Sequence, residues 1–269
     1  MPSPSGTTTR ELAIVTGASG GIGLELARLF SRDGFELVLV ARSEEKLAAA
    51  AAELKAAGAS QVHTRAADLT RSGATGDLHA FIDTLGTPVY AIVNNAGFAT
   101  WGPFAETPWP TTAEMIELNV AALTELTRLF LPGMLARGRG RVLNVASTAA
   151  FQPGPLMAVY YATKAYVLNF TEALAHELVG TGVTATALCP GPTETGFVVR
   201  ADMQESKLFQ TGRVMDAASV ARIGYEAMQR GKPVVIAGGM NRLLAFVTRL
   251  VPRGWSADAV RKMQSRRTL

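Results

Sequence analysis

The sequence of 269 residues holds a single cysteine, Cys189, so no internal disulfide can form and a reducing compartment is permitted. The three histidines, His63, His79 and His176, are scattered without ligand spacing, and no metal site is expected. Uninterrupted apolar runs of about 18 residues are missing, so no ordinary membrane-spanning helix is expected. The opening MPSPSGTTTR lacks the apolar core of a secretory signal, and residues 1–10 are expected to form a flexible, fraying tail. Charged residues amount to only 18% against 48% hydrophobic, which excludes a disordered chain. The net charge is +4, with the basic excess near the end, in RLVPRGWSADAVRKMQSRRTL. That stretch lacks the aromatic–basic interleaving of a nucleic-acid surface. It reads as a solvated face, and no nucleic-acid partner is expected.

What the sequence has in quantity is an alternation of short apolar runs with longer helical patterns. LAIVTG, ELVLVAR, QVHTRAAD, VYAIVNNAG, RVLNVAS, VTATALCPG and PVVIAGG read as seven strands. GIGLELARLFSRDG reads as a helix closed by Gly34. SEEKLAAAAAELKAAG follows the second strand, with Ser43 as cap, Glu44 and Glu45 at the positive end and Gly58 at the stop. Further helices are expected over 112–136, with a bend before Pro132, over 160–179, and in AASVARIGYEAMQRG. Strands of Val, Ile, Leu and Ala without polar alternation are buried on both faces. Joined by helices, they pair in parallel through right-handed crossovers. The expected architecture is α/β: a single domain with a doubly wound, parallel, seven-stranded sheet of Rossmann type and helices on both faces. This body spans residues 11–239, and a helical extension covers 240–269.

TGASGGIG lies between the first strand and the first helix. Gly17, Gly21 and Gly23 remove side chains where a turn is tight and where a pyrophosphate approaches the backbone. The helix that starts there offers unpaired N–H groups and a positive dipole end. In AVYYATKAYVLNF, Tyr160 and Tyr161 stand four and three residues before Lys164. Both spacings share a helix face with the lysine, so geometry alone leaves the two phenols equivalent.

With Thr16–Gly23 as T-G-x-x-x-G-x-G, the sequence resembles the classical short-chain dehydrogenase/reductase family. The other marks of that family follow in order: NNAG at 94–97, Asn119, Ser147, Tyr160 and Lys164 as Y-x-x-x-K, and Pro190–Gly191 with Thr195 four residues on. The resemblance covers about residues 11–240. It implies an enzyme that interconverts a carbonyl and an alcohol by hydride transfer. Tyr160, selected over Tyr161 only by the family pattern, is then the general acid in reduction and the base in oxidation. Lys164 depresses its pKa and holds the nicotinamide ribose, Ser147 bonds the substrate oxygen, and Asn119 supports a water leading from Lys164.

The resemblance also implies a cofactor site made of Gly17, Ser19, Gly20, Gly21, Ile22, Gly23, Arg42, Asp68, Leu69, Asn95, Ala96, Gly97, Tyr160, Lys164, Pro190, Gly191, Thr193 and Thr195. In NAD-using relatives an acidic residue stands where this chain has Ala41. Arg42 comes next, and a guanidinium suits a 2′-phosphate, so NADP(H) is expected, with Ser19 and Ser43 as further phosphate partners. Asp68 stands where the family contacts adenine.

Substrate is expected to be read by a lid over 192–212, opened by Phe197, Val198 and Val199, and by Phe98, Trp101, Phe151 and Met157. This apolar set suits a hydrophobic carbonyl or alcohol. Two rival readings are a 3-oxoacyl-thioester reductase and an NADPH-sensing regulator without turnover. Cys189 reads as a small buried residue at a strand end rather than a reactive thiol. In MNRLLAFVTRLVPRGW, the apolar Leu243, Leu244, Phe246, Val247, Leu250 and Val251 stand beside Arg242, Arg249 and Arg253. Packing over the pocket or on another subunit is expected ahead of docking on a membrane. The resemblance implies a homodimer or homotetramer. The expected location is cytoplasmic, with peripheral membrane contact as the lesser alternative.

Overall fold

The computed structural model describes residues 10–196 and 214–264. Seven parallel strands form the main sheet: β1 (Leu12–Thr16), β2 (Glu36–Ala41), β3 (Val62–Ala66), β4 (Val89–Asn94), β5 (Gly140–Val145), β6 (Val183–Cys189) and β9 (Val234–Ile236). Their spatial order is β3-β2-β1-β4-β5-β6-β9. The order reverses direction between β1 and β4, and a crevice opens there beyond the strand ends. Two short strands, β7 (Thr193–Glu194) and β8 (Met215–Asp216), pair separately. The expected doubly wound α/β sheet is therefore the observed one.

Alternation along each strand divides the core. Leu12 and Ile14 face α3 (Ala74–Asp83), α5 (Leu123–Ala136) and α6 (Ala158–Glu177), where Leu78, Ile82, Phe130 and Leu174 meet them. Ala13 and Val15 face the other way, toward α1 (Gly21–Arg32), α2 (Glu44–Ala56) and α7 (Ala217–Gln229), through Phe30, Leu54 and Met228. Both faces being dry explains why these strands carry no polar alternation. The outer strand β3 differs: Thr64, Arg65 and Ala66 are exposed, as suits a sheet edge. Ser43 caps α2, accepting from the Lys46 N–H at 3.3 Å.

Three elements depart from the expected pattern. Helix α3, with Gly76 and His79 inside it, has a weak helical signature and supplies the crossover between β3 and β4. The region expected over 112–136 starts earlier, as α4 (Trp109–Ile116), and passes through a π-helical stretch, Glu117–Ala122, into α5. The irregularity falls in that stretch, and α5 continues through Pro132 to Ala136. The C-terminal extension is two helices, α8 (Gly239–Val247) and α9 (Arg253–Gln264), with Pro252 between them.

Candidate active site

The crevice holds a cavity of about 720 Å³. One end is built from backbone. Gly17, at φ +66°, lets the chain turn sharply after β1, and Gly23 lets the first turn of α1 pack on it. A Cβ on Gly23 would stand 2.4 Å from the Gly17 carbonyl oxygen and 2.5 Å from Asn95 Nδ2. The turn is tied to the β4 end by Thr16, whose hydroxyl donates to the Val93 carbonyl at 3.1 Å and accepts from the Asn95 and Ala96 N–H groups at 3.0 Å. Asn95 Nδ2 returns bonds to the carbonyls of Thr16 and Gly17. Among the described residues the first turn of α1 has no acidic residue and no side-chain cap, so its N–H groups and dipole are available to an anion.

Arg42, Ser43 and Lys46 line the cavity where β2 enters α2. Asp68 lies beyond β3. Burial works against its charge, but bonds from the Thr70 hydroxyl (2.8 Å) and N–H (3.1 Å), with Arg42 and Arg71 nearby, hold it below the usual carboxyl range. Every residue of the expected cofactor set lines this cavity except Gly23, which acts underneath through its close packing. Lys46 falls outside the expected set. Its sequence signal is a position three residues after a capping serine, at a helix N-terminus that points into the crevice.

Ser147, Tyr160, Tyr161 and Lys164 meet on the cavity wall where β5 ends and α6 begins. Ser147 accepts from the Ala149 N–H at 3.1 Å and shares a hydrogen bond with the Tyr160 phenol. Burial pushes the Tyr160 phenol above its ordinary value, and the bond with Ser147 works the other way. Lys164 Nζ donates to the Val145 carbonyl at 2.7 Å and lies 5.8 Å from the Tyr160 ring centroid. Burial lowers its pKa to about 8. The ammonium here is engaged by a backbone carbonyl, and burial dominates the phenol's acidity.

Asn119 does not reach the cavity wall. It sits in the π-helical stretch, where its Oδ1 accepts from the Phe98 N–H (3.1 Å) and its Nδ2 donates to the Phe98 carbonyl (3.0 Å) and to the Thr163 hydroxyl (3.2 Å). Thr163 donates in turn to the Tyr160 carbonyl at 2.7 Å. Asn119 thus braces the backbone that carries Tyr160, and a π-bulge is a frequent means of aiming a side chain at a site.

The opposite end of the cavity is built from side chains. Phe151 and Met157 line it as expected, whereas Phe98 and Trp101 do not. Phe98 is drawn into the core by the clamp on its backbone, and Trp101 packs beside it, donating from Nε1 to the Gln264 carbonyl at 2.9 Å. Gln264 Nε2 donates to the Tyr161 hydroxyl at 3.1 Å. With Asn241, Leu244, Ala245 and Thr248 of the α8 region and Met263 of α9, Gln264 closes the wall. The C-terminal extension therefore packs over the pocket. The lid expected over 192–212 is described only to Gly196, and Phe197, Val198 and Val199 lie outside the described residues. Cys189 is buried, and burial raises its thiol to about 12, as suits an inert core residue. Among the described residues no cluster of metal-ligating side chains occurs, and no helix is long and apolar enough to cross a membrane.

A glycine turn at the sheet's switch point, beside a serine, a tyrosine and a lysine on one wall, defines a nucleotide-dependent oxidoreductase class. Residues 11–206 match the short chain dehydrogenase family, and the chain belongs to it. It is 32% identical to the ketoacyl reductase HetN of Nostoc sp., over 91% of this chain and 84% of that one. A putative ketoacyl reductase of Streptomyces coelicolor is 39% identical over 70% of this chain and 73% of its own. Among solved structures, a short-chain dehydrogenase from Sphingobium yanoikuyae in complex with NADPH superposes with a TM-score of 0.80 at 30% identity, covering 89% of this chain and 93% of that one.

Proposed function

We propose that the protein is an NADP(H)-dependent reductase of a hydrophobic ketone or 3-oxoacyl group, working through Tyr160. The observation that carries the reading is the meeting of Ser147, Tyr160 and Lys164 on one wall of a cavity whose other end is a glycine cradle flanked by Arg42 and Lys46. The residues suit NADP(H). The free N–H groups of α1 meet a pyrophosphate, Arg42, Ser43 and Lys46 meet a 2′-phosphate, and Asp68 stands where adenine would lie. Bound NADPH supplies the hydride.

The hydride goes to the carbonyl carbon, and the chain's own residues manage the oxygen, where charge develops. Ser147 donates to the carbonyl oxygen as charge develops there, and Tyr160 gives it the phenolic proton. Lys164, charged below pH about 8, stabilises the phenolate left behind and takes ribose hydroxyls as partners in place of the Val145 carbonyl. Asn119 acts one layer back, fixing Tyr160 through Thr163. Phe151, Met157 and Leu244 set the apolar character of the substrate end. The ketoacyl reductases among the relatives favour a 3-oxoacyl chain as the particular hydrophobic carbonyl. A homo-oligomer in the cytoplasm completes the proposal.

The test is NADPH consumption across ketones, aldehydes and 3-oxoacyl thioesters of graded length. Turnover should rise with apolar length. Tyr160→Phe should lower kcat about 100- to 10,000-fold while NADPH still binds. Equal losses for Tyr160→Phe and Tyr161→Phe would remove Tyr160 from its role.

A further inference from the structure

The helix α8 is built inside out. Of the four residues it brings to the cavity, Asn241, Ala245 and Thr248 are small or polar, and Leu244 alone is large and apolar. The residues it turns outward are large and apolar: Met240 is 56% exposed, Leu243 54% and Phe246 57%. Leu250, just after α8, and Trp255, in α9, are exposed as well, at 71% and 72%. A contiguous outward apolar face of this kind marks an interaction surface.

Charge identifies the occupant. Residues 239–269 hold seven Lys and Arg against one acid, Asp258, a net of +6. The whole chain is +4, so the other 238 residues carry −2. Arg242, Arg249 and Arg253 are exposed around the apolar patch. A second copy paired through this face would set one cationic patch against another. Large apolar side chains ringed by arginines suit an anionic bilayer, with the apolar groups in the acyl boundary and the guanidiniums among the headgroups.

We propose that the α8–α9 face docks the protein on an anionic membrane. Resting on the function proposed above, it adds the route of the substrate. Leu244 is 56% exposed and also lines the cavity, so the docked face adjoins the pocket wall. An apolar carbonyl compound dissolved in the bilayer reaches the site without crossing water.

The test is cosedimentation of the full chain with phosphatidylcholine vesicles, with and without phosphatidylglycerol. Pelleting is expected only with phosphatidylglycerol, and it should weaken as salt rises. The double variant Leu243→Gln/Phe246→Gln should lose binding more than tenfold. Arg242→Gln and Arg249→Gln should each weaken it about fivefold. These side chains are exposed, so circular dichroism and NADPH titration should match the parent protein. Absence of pelleting on anionic vesicles, or equal pelleting of the double variant, would overturn the proposal. So would a change from dimer to monomer in the double variant, which would assign the face to a second copy. Vesicle binding without turnover of any carbonyl would instead defeat the catalytic reading and leave the docking intact.

Discussion

The two ends of the cavity are made of different materials. At the cofactor end the cradle is backbone: the turns after β1 and β4, locked together by Thr16 and Asn95, with the Arg42, Ser43 and Lys46 side chains at its rim. At the substrate end the working parts are side chains brought from distant segments and joined at Gln264, which bonds both Trp101 and Tyr161. The packed glycines Gly17, Gly21 and Gly23 leave no room for an added carbon, whereas a side-chain wall can change occupant and keep its shape. The first end should therefore fail sharply when altered, and the second should shift selectivity.

The largest effect is expected at Gly23. A methyl there meets the Gly17 carbonyl at 2.4 Å, and that carbonyl cannot retreat without opening the turn. Gly23→Ala should lower stability by about 2 kcal/mol, the usual cost of forced overpacking, and abolish NADPH binding by fluorescence titration. Next is Arg42→Asp, which replaces a cation on the cavity wall with an anion. The NADPH KM should rise about 100-fold, the scale of a lost charge-assisted contact, with little change for NADH. Equal losses for both cofactors would place the 2′-phosphate elsewhere.

Gly23 and Arg42 are both legible in the amino-acid sequence. Strands such as LAIVTG and VYAIVNN announce themselves because both sheet faces are apolar, and the glycine turn stands at a fixed place between a strand and a helix. The substrate end is harder to read for physical reasons. Phe98 and Trp101 are apolar residues in the right loop, but nothing local says that Asn119 pulls Phe98 inward or that Trp101 serves Gln264. Gln264 lies among polar residues near the chain end, and its value comes from a contact 103 positions away. Leu243 and Phe246 read as an apolar face that packs over the pocket or on another subunit, since amphipathic periodicity gives a face but not its direction. The π-helical stretch likewise leaves no apolar signature, although the family pattern marks Asn119 itself. The spacing of Lys164 from Tyr160 places the two together on one helix face. Its bond to Val145 has no such signal, because a backbone acceptor at a strand end cannot be read from side-chain spacing.

The substrate end breaks differently. Gln264→Leu keeps the side chain's volume and the Trp101 bond to the backbone, but strands the buried Tyr161 hydroxyl. The cost should be about 1–2 kcal/mol by thermal melting, with substrate preference moving toward less polar ketones and NADPH binding unchanged. Adding Tyr161→Phe removes both polar partners and should restore most of the lost stability, because replacing a pair costs far less than orphaning one member. Additive losses in the double variant would mean that the pair is not a unit.

The most gradual effect, spread over a pH window, belongs to Lys164, where the two ends meet. Burial lowers its folded pKa to about 8, below the 10.5 of a free lysine. Between those values the unfolded chain binds more protons than the folded one, so stability should rise with pH across that window. Below pH about 8 the buried ammonium is charged in both states and its desolvation is fully felt. Compared with Lys164→Met, the parent protein should gain about 1 kcal/mol per pH unit at most between pH 8 and pH 10. Saturating NADPH should flatten that gain if ribose hydroxyls replace Val145 as the lysine's partners and hold it charged. A slope equal in the parent and in Lys164→Met would show that the ammonium is solvated and that it does not join the two ends of the cavity.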